Sequence, residues 1–78
     1  MKIHVETPEQ ELNNSISTVE IYVDEDGLEF LKEALGGLKA PSDDLHLMAP
    51  SWGLQGLEEA PFYDDHTPIK HVKITRIQ

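Results

Sequence analysis

Leu28, Leu31, Leu35 and Leu38 recur at spacings of three and four, and no other pattern constrains the fold of this chain as strongly. The spacing predicts one amphipathic helix. Asp24 is placed to cap its N-terminus, and Glu25 and Asp26 suit the positive end of the helix dipole. Gly27 stands where a capping box needs Glu or Gln, so a start at Asp26 stays open. Phe30 and Ala34 widen the apolar stripe, whereas Glu29, Lys32 and Glu33 fall outside it. Gly36-Gly37 stops the helix, and Pro41 prevents it from resuming.

The rest of the 78 residues reads as strand or loop. Residues 1–6 alternate, with Ile3 and Val5 against Lys2 and His4, and Thr7-Pro8 breaks the run. After a polar connection over 9–15, residues 16–23 put Val19, Ile21 and Val23 on one face and Thr18, Glu20 and Tyr22 on the other. Residues 43–49 send Leu45, Leu47 and Ala49 inward and His46 and Met48 outward. Residues 69–77 send Val72 and Ile74 inward and His71, Lys73 and Thr75 outward. Between these last two strands lies a long loop, 50–68, rich in Gly, Pro and Asp yet holding Trp52, Leu54, Leu57, Phe62 and Tyr63. A loop this apolar is expected to pack over an end or edge of the sheet. The expected architecture is a single α+β domain over residues 1–78, two-layered, in the order β-β-α-β-β. Its sheet is roughly four-stranded and mostly antiparallel, with one helix packed on one face.

Charge and composition exclude whole classes of function. Fifteen Asp and Glu against six Lys and Arg leave a net charge of −9, which repels nucleic acid. The charge is uneven: all fifteen acids and three bases (Lys2, Lys32, Lys39) lie up to Asp65, a balance of −12. The closing segment from His66 holds Lys70, Lys73 and Arg76 and no acid, a balance of +3. Absence of cysteine removes disulfides and thiolate chemistry and suits the cytoplasm. No apolar run reaches the ~18–20 residues of a membrane span, and the first residues are not a signal peptide.

No enzyme constellation emerges. The four histidines lack the His-Glu-x-x-His spacing; His46 and His71, both outward on strands, are the weak candidates for a metal or pH-sensitive pair. Asp64-Asp65-His66 reads as a polar turn, because no serine in a nucleophile-elbow context completes a triad. The carboxylate pairs sit in polar settings unsuited to raising a pKa. Asp24-Glu25-Asp26-Gly27 opens like a calcium loop, but Leu35 occupies its twelfth position. No glycine-rich phosphate loop exists, and no cofactor is expected. Trp52, after Pro50-Ser51 and before Gly53, is either a cap on the small core or a binding anchor.

Three stretches carry a family resemblance. They are the run from Val19 to Leu28 with the leucine-striped helix, the run His46-Leu47-Met48-Ala49-Pro50-Ser51-Trp52-Gly53 with Leu57 and Glu58, and the closing Ile69-Lys70-His71-Val72-Lys73-Ile74. Together they resemble the immunity protein 32 family of bacterial polymorphic toxin systems, over most of the chain and outside residues 1–15. The resemblance implies a small cytoplasmic α+β protein that binds and neutralises a cognate toxin domain, with no catalytic motif to transfer. An acidic protein can fill the basic cleft of a nuclease-like toxin. The expected contacts are Asp43, Asp44, Glu58, Glu59, Asp64 and Asp65, with Trp52, Phe62 and Tyr63 as apolar anchors. The rival expectation is a structural or regulatory module that forms a homodimer through its sheet face or an edge strand.

Overall fold

A computed structural model describes residues 1–8, 18–53 and 56–78. The connection expected over 9–15, the beginning of the strand expected over 16–23, and Leu54 lie outside the described residues. The elements are β1 (Ile3–Thr7), β2 (Glu20–Val23), α1 (Glu25–Gly36), β3 (Asp44–Met48), β4 (Thr67–Pro68) and β5 (His71–Thr75), with one 3₁₀ turn at Pro50–Trp52. The fold is α+β, one helix on antiparallel sheet. Its strands are shared between a three-stranded sheet in the order β2-β1-β4 and a two-stranded sheet of β3 and β5. The short β4 arises inside the long loop, where Thr67 and Pro68 pair with Thr7 and Glu6 of β1.

The helix begins where its capping chemistry places it. Asp24 Oδ1 accepts from the Gly27 N–H at 2.7 Å and from the Lys2 N–H at 2.9 Å, tying the helix start to the first strand. Those two backbone donors hold the Asp24 carboxyl below the usual range. Gly27 is required there because the helix crosses the first strand with no room for a side chain. A Cβ at this position would lie 2.3 Å from the Lys2 carbonyl oxygen and 3.0 Å from Ile3 Cγ1.

The two sheets are joined by backbone at a seam. Ile69 donates to the Val5 carbonyl and Ala49 to the Lys70 carbonyl, so residues 69–70 pass from one sheet to the other. On the near side, Leu57 donates to Met48 and Glu58 to Ile3, placing Leu57 between β3 and β1. Ile3, Val5, Leu47 and Leu57 form the buried core across this seam, with Leu31, Leu45, Ile69 and Val72 packed against it. Alternation along β1, β3 and β5 therefore sorts inward from outward side chains as the pattern predicts. Along β2 the face expected to be covered is open: Val19, Ile21 and Val23 are exposed while Glu20 and Tyr22 are half-buried, because the small core ends at β1. The leucine stripe is only partly used: Leu31 is half-buried, whereas Leu28, Phe30 and Leu35 stay exposed. With so few buried side chains, the core of this small chain covers one turn of the helix and not three.

Candidate functional site

The outer face of the three-stranded sheet carries His4 and Glu6 of β1 and Tyr22 and Glu20 of β2, in register as His4 opposite Tyr22 and Glu6 opposite Glu20. A carboxylate on an outward strand position normally meets water. Glu6 does not: it is 0% exposed, because residues 60–66 fold over it. Its Oε1 accepts from the Phe62 N–H at 2.6 Å, and its Oε2 accepts from the Tyr63 N–H at 3.2 Å and from His66 Nδ1–H at 2.6 Å. Burial acts to raise the Glu6 pKa, but the Phe62 and Tyr63 amides and the His66 ring outweigh it and hold the carboxyl below its ordinary value. His4 adds a further tie, its Nδ1–H donating to the Ala60 carbonyl at 2.9 Å.

The loop so anchored presents aromatic rings outward. Phe62 lies against Tyr22, with centroids 4.9 Å apart and planes 18° apart. Tyr63 meets Phe62 edge-on at 5.0 Å and Tyr22 edge-on at 5.4 Å. Phe62 nevertheless remains 55% exposed and Tyr63 49% exposed. Exposed Asp64 and Asp65 follow directly. Beside the Phe62 ring, Lys2, His4, Tyr22, Val23 and Asp24 enclose a shallow, mostly apolar pocket of about 190 Å³. The Tyr22 hydroxyl donates to Glu20 Oε1 at 2.8 Å, and this bond to a carboxylate pushes the phenol pKa up to about 12.

The other sequence-selected residues divide into anchors and open positions. Asp43 is an anchor, its Oδ2 accepting from the Lys39 and Ala40 N–H groups at 2.9 Å each to close the turn after the helix. Asp44 accepts the Thr75 hydroxyl across the β3–β5 ladder. Glu59 holds the 3₁₀ turn: Oε1 accepts from the Ser51 N–H, and Oε2 accepts from the Ser51 hydroxyl and Lys70 Nζ, each at 3.0 Å. The Ser51 amide first, then Lys70 and the Ser51 hydroxyl, bring its pKa down to about 2. Glu58 is half-buried beside the core seam. Trp52 is 59% exposed and caps no core; its ring lies 6.4 Å from that of His71. Phe62, Tyr63, Asp64 and Asp65 thus share one loop on the three-stranded sheet, and Trp52 stands apart on the β3–β5 side.

His46 and His71 are neighbours across β3 and β5, with His46 Nδ1 2.9 Å from His71 Nε2. Their centroids are 5.2 Å apart and their planes 17° apart. That separation requires the two nitrogens to face one another in line, sharing one proton. A metal needs both lone pairs turned to a common third point. Among the described residues, no group of three or more His, Cys, Asp or Glu side chains is arranged to hold a metal. Sequence reasoning missed Glu6 and His66 as a pair. The only signal was that both are polar residues beside turn-forming segments, which is true of many positions. No described helix is long and apolar enough to cross a membrane. In comparisons with family models, curated proteins and solved structures, the chain matches none.

Proposed function

We propose that this chain is an immunity protein, which binds and neutralises a cognate bacterial toxin domain in the cytoplasm, as the sequence resemblance implies. One observation carries the reading: two large aromatic rings stand exposed on a loop whose backbone is fixed by a fully buried carboxylate. Aromatic rings on a mobile loop give up conformational entropy when a partner orders them. Here the Glu6 anchor holds them in place before binding, so ordering the loop costs little at the moment of association. Asp64 and Asp65 beside them, on a chain of net charge −9, complement a basic cleft such as that of a nuclease. The aromatic pair supplies complex lifetime and the acids supply encounter rate.

The experiment is protection in bacteria. Domains encoded by the genes adjoining this one are induced in turn, alone and with this chain, to find one that arrests growth. Growth restored by the wild-type chain, and lost with Phe62→Ala/Tyr63→Ala, is the expected result. Growth arrest that the wild-type chain leaves untouched overturns the proposal.

A further inference from the structure

Among the described residues, the outer edge of β2 is an open hydrogen-bonding ladder. Asp24 N–H donates to the Lys2 carbonyl, so the antiparallel alternation makes His4/Tyr22 and Glu6/Glu20 the bonded pairs of β1 and β2. The Ile3 and Val5 carbonyls point the other way, accepting from Glu58 and Ile69. Ile21 and Val23 must then turn their own N–H and C=O groups away from β1. Among the described residues no strand lies on that side. The side chains on the core face of this edge are also uncovered: Val19 is 53% exposed, Ile21 59% and Val23 38%. No lysine or proline guards the strand, whose one charged side chain, Glu20, faces away from the apolar side.

We propose that a second copy of this chain occupies the edge, β2 against β2, antiparallel and centred on Ile21. The sequence around that centre is self-complementary. Val19 falls opposite Val23 of the second copy, Glu20 opposite its Tyr22, and Ile21 opposite its Ile21. Every apolar residue meets a β-branched residue on the core face. On the outer face Glu20 meets the phenol of Tyr22, the pairing these residues already make within one chain, and Asp24 meets Thr18. Other centres are worse. Centring on Tyr22 sets Glu20 against Asp24, and centring on Glu20 sets that carboxylate against itself. In the Ile21 centre the outward-facing groups oppose one another, so the Ile21/Ile21 and Val19/Val23 pairs each exchange two backbone hydrogen bonds and the Glu20/Tyr22 pairs fall between them. The product is one continuous sheet of six strands, β4-β1-β2 joined to its symmetry mate, with a two-fold axis at Ile21.

Charge opposes this assembly, since each copy carries −9. The dimer therefore tightens as salt screens the repulsion, whereas capture of a basic toxin weakens with salt. The two readings are independent and give opposite salt dependences.

Sedimentation equilibrium of the full chain, at low salt and at about 0.5 M salt, tests the assembly. The expected mass moves from one copy to two with concentration, and at a lower concentration in high salt. Ile21→Pro removes an outward N–H, a change edge strands tolerate, and is expected to keep the circular dichroism of the parent and abolish the dimer. Cysteine pairing reads the register without relying on that variant. The chain has no cysteine, and residues in a bonded antiparallel pair have Cα atoms about 5.5 Å apart, within disulfide reach. Ile21→Cys is expected to form a cross-linked dimer on oxidation, and Val19→Cys is not. A chain that stays monomeric at every concentration and salt overturns the proposal, as does Val19→Cys cross-linking as fast as Ile21→Cys.

Discussion

His66 Nδ1 and Glu6 Oε2 lie 2.6 Å apart, joining the first strand to a loop sixty residues later in the chain. The carboxylate has no exposed surface and takes two backbone amides as well. Together with the His4 tie to the Ala60 carbonyl, this side chain fixes the path of residues 60–66, and through them the aromatic rings that face outward.

Removing that acceptor is costly. Glu6→Gln keeps the shape but loses the charge and offers one acceptor oxygen where two carboxylate oxygens served three donors. A loss of about 2–4 kcal/mol in unfolding free energy is expected, the range for leaving donors of a buried charged network unpaired. Urea unfolding measures it. In the same variant, the amide resonances of Phe62 and Tyr63 should shift more than any others.

The same group sets an acid limit on stability. The folded pKa of Glu6 lies below its ordinary 4.5, and that of Glu59 falls from 4.5 to about 2. A depressed carboxyl pKa contributes stability that is fully present above the unfolded value and lost as pH falls through the folded one. Stability is therefore expected to be flat above about pH 5 and to fall steadily below 4.5. Glu6→Gln should flatten that fall. Thermal unfolding at a series of pH values checks both.

Glycine substitutions in the one helix should have opposite signs. Gly27→Ala drives a Cβ to 2.3 Å from the Lys2 carbonyl oxygen, backbone that cannot step aside without moving β1. The gain in helix propensity, about 1 kcal/mol, is expected to be outweighed, for a net loss of about 1–3 kcal/mol. Gly36→Ala meets nothing within 4 Å and should stabilise by about 0.5–1 kcal/mol. Chemical denaturation of the two variants side by side decides it.

Tyr22 should titrate late. Its hydroxyl donates to Glu20, which lifts the phenol pKa to about 12. Absorbance titration of the wild type and Glu20→Gln is expected to show one tyrosine moving back toward its ordinary 10 in the variant. An unchanged curve contradicts the hydrogen bond.

Local signals in the sequence were enough to place the helix and the faces of β1, β3 and β5, but not to show that the apolar face of β2 stays uncovered. Asp24 caps the helix because its short carboxylate reaches Gly27, a relation contained in four consecutive residues. Strand alternation likewise separated Leu45 and Leu47 from His46, and it brought His46 and His71 to one face without giving their register. What stayed hidden depends on how the chain folds back on itself, at short range as well as long. Glu6 reads as an ordinary outward carboxylate until residues 60–66 cover it. Asp43 and Glu59 read as free surface charge, yet each is held by neighbouring backbone donors. The exposure of Leu28 and Leu35 follows from how little core there is to cover, which periodicity does not report.

The central claim, a preorganised acidic and aromatic loop that captures a toxin, is tested most directly by association kinetics. Stopped-flow binding of the toxin domain that the growth assay identifies is measured with the wild type, with Asp64→Lys/Asp65→Lys and with Phe62→Ala. The expected result is association slowed several-fold by the charge reversal at low salt, and complex lifetime shortened about tenfold or more by loss of the ring. Association rate and lifetime unchanged in both variants would contradict it.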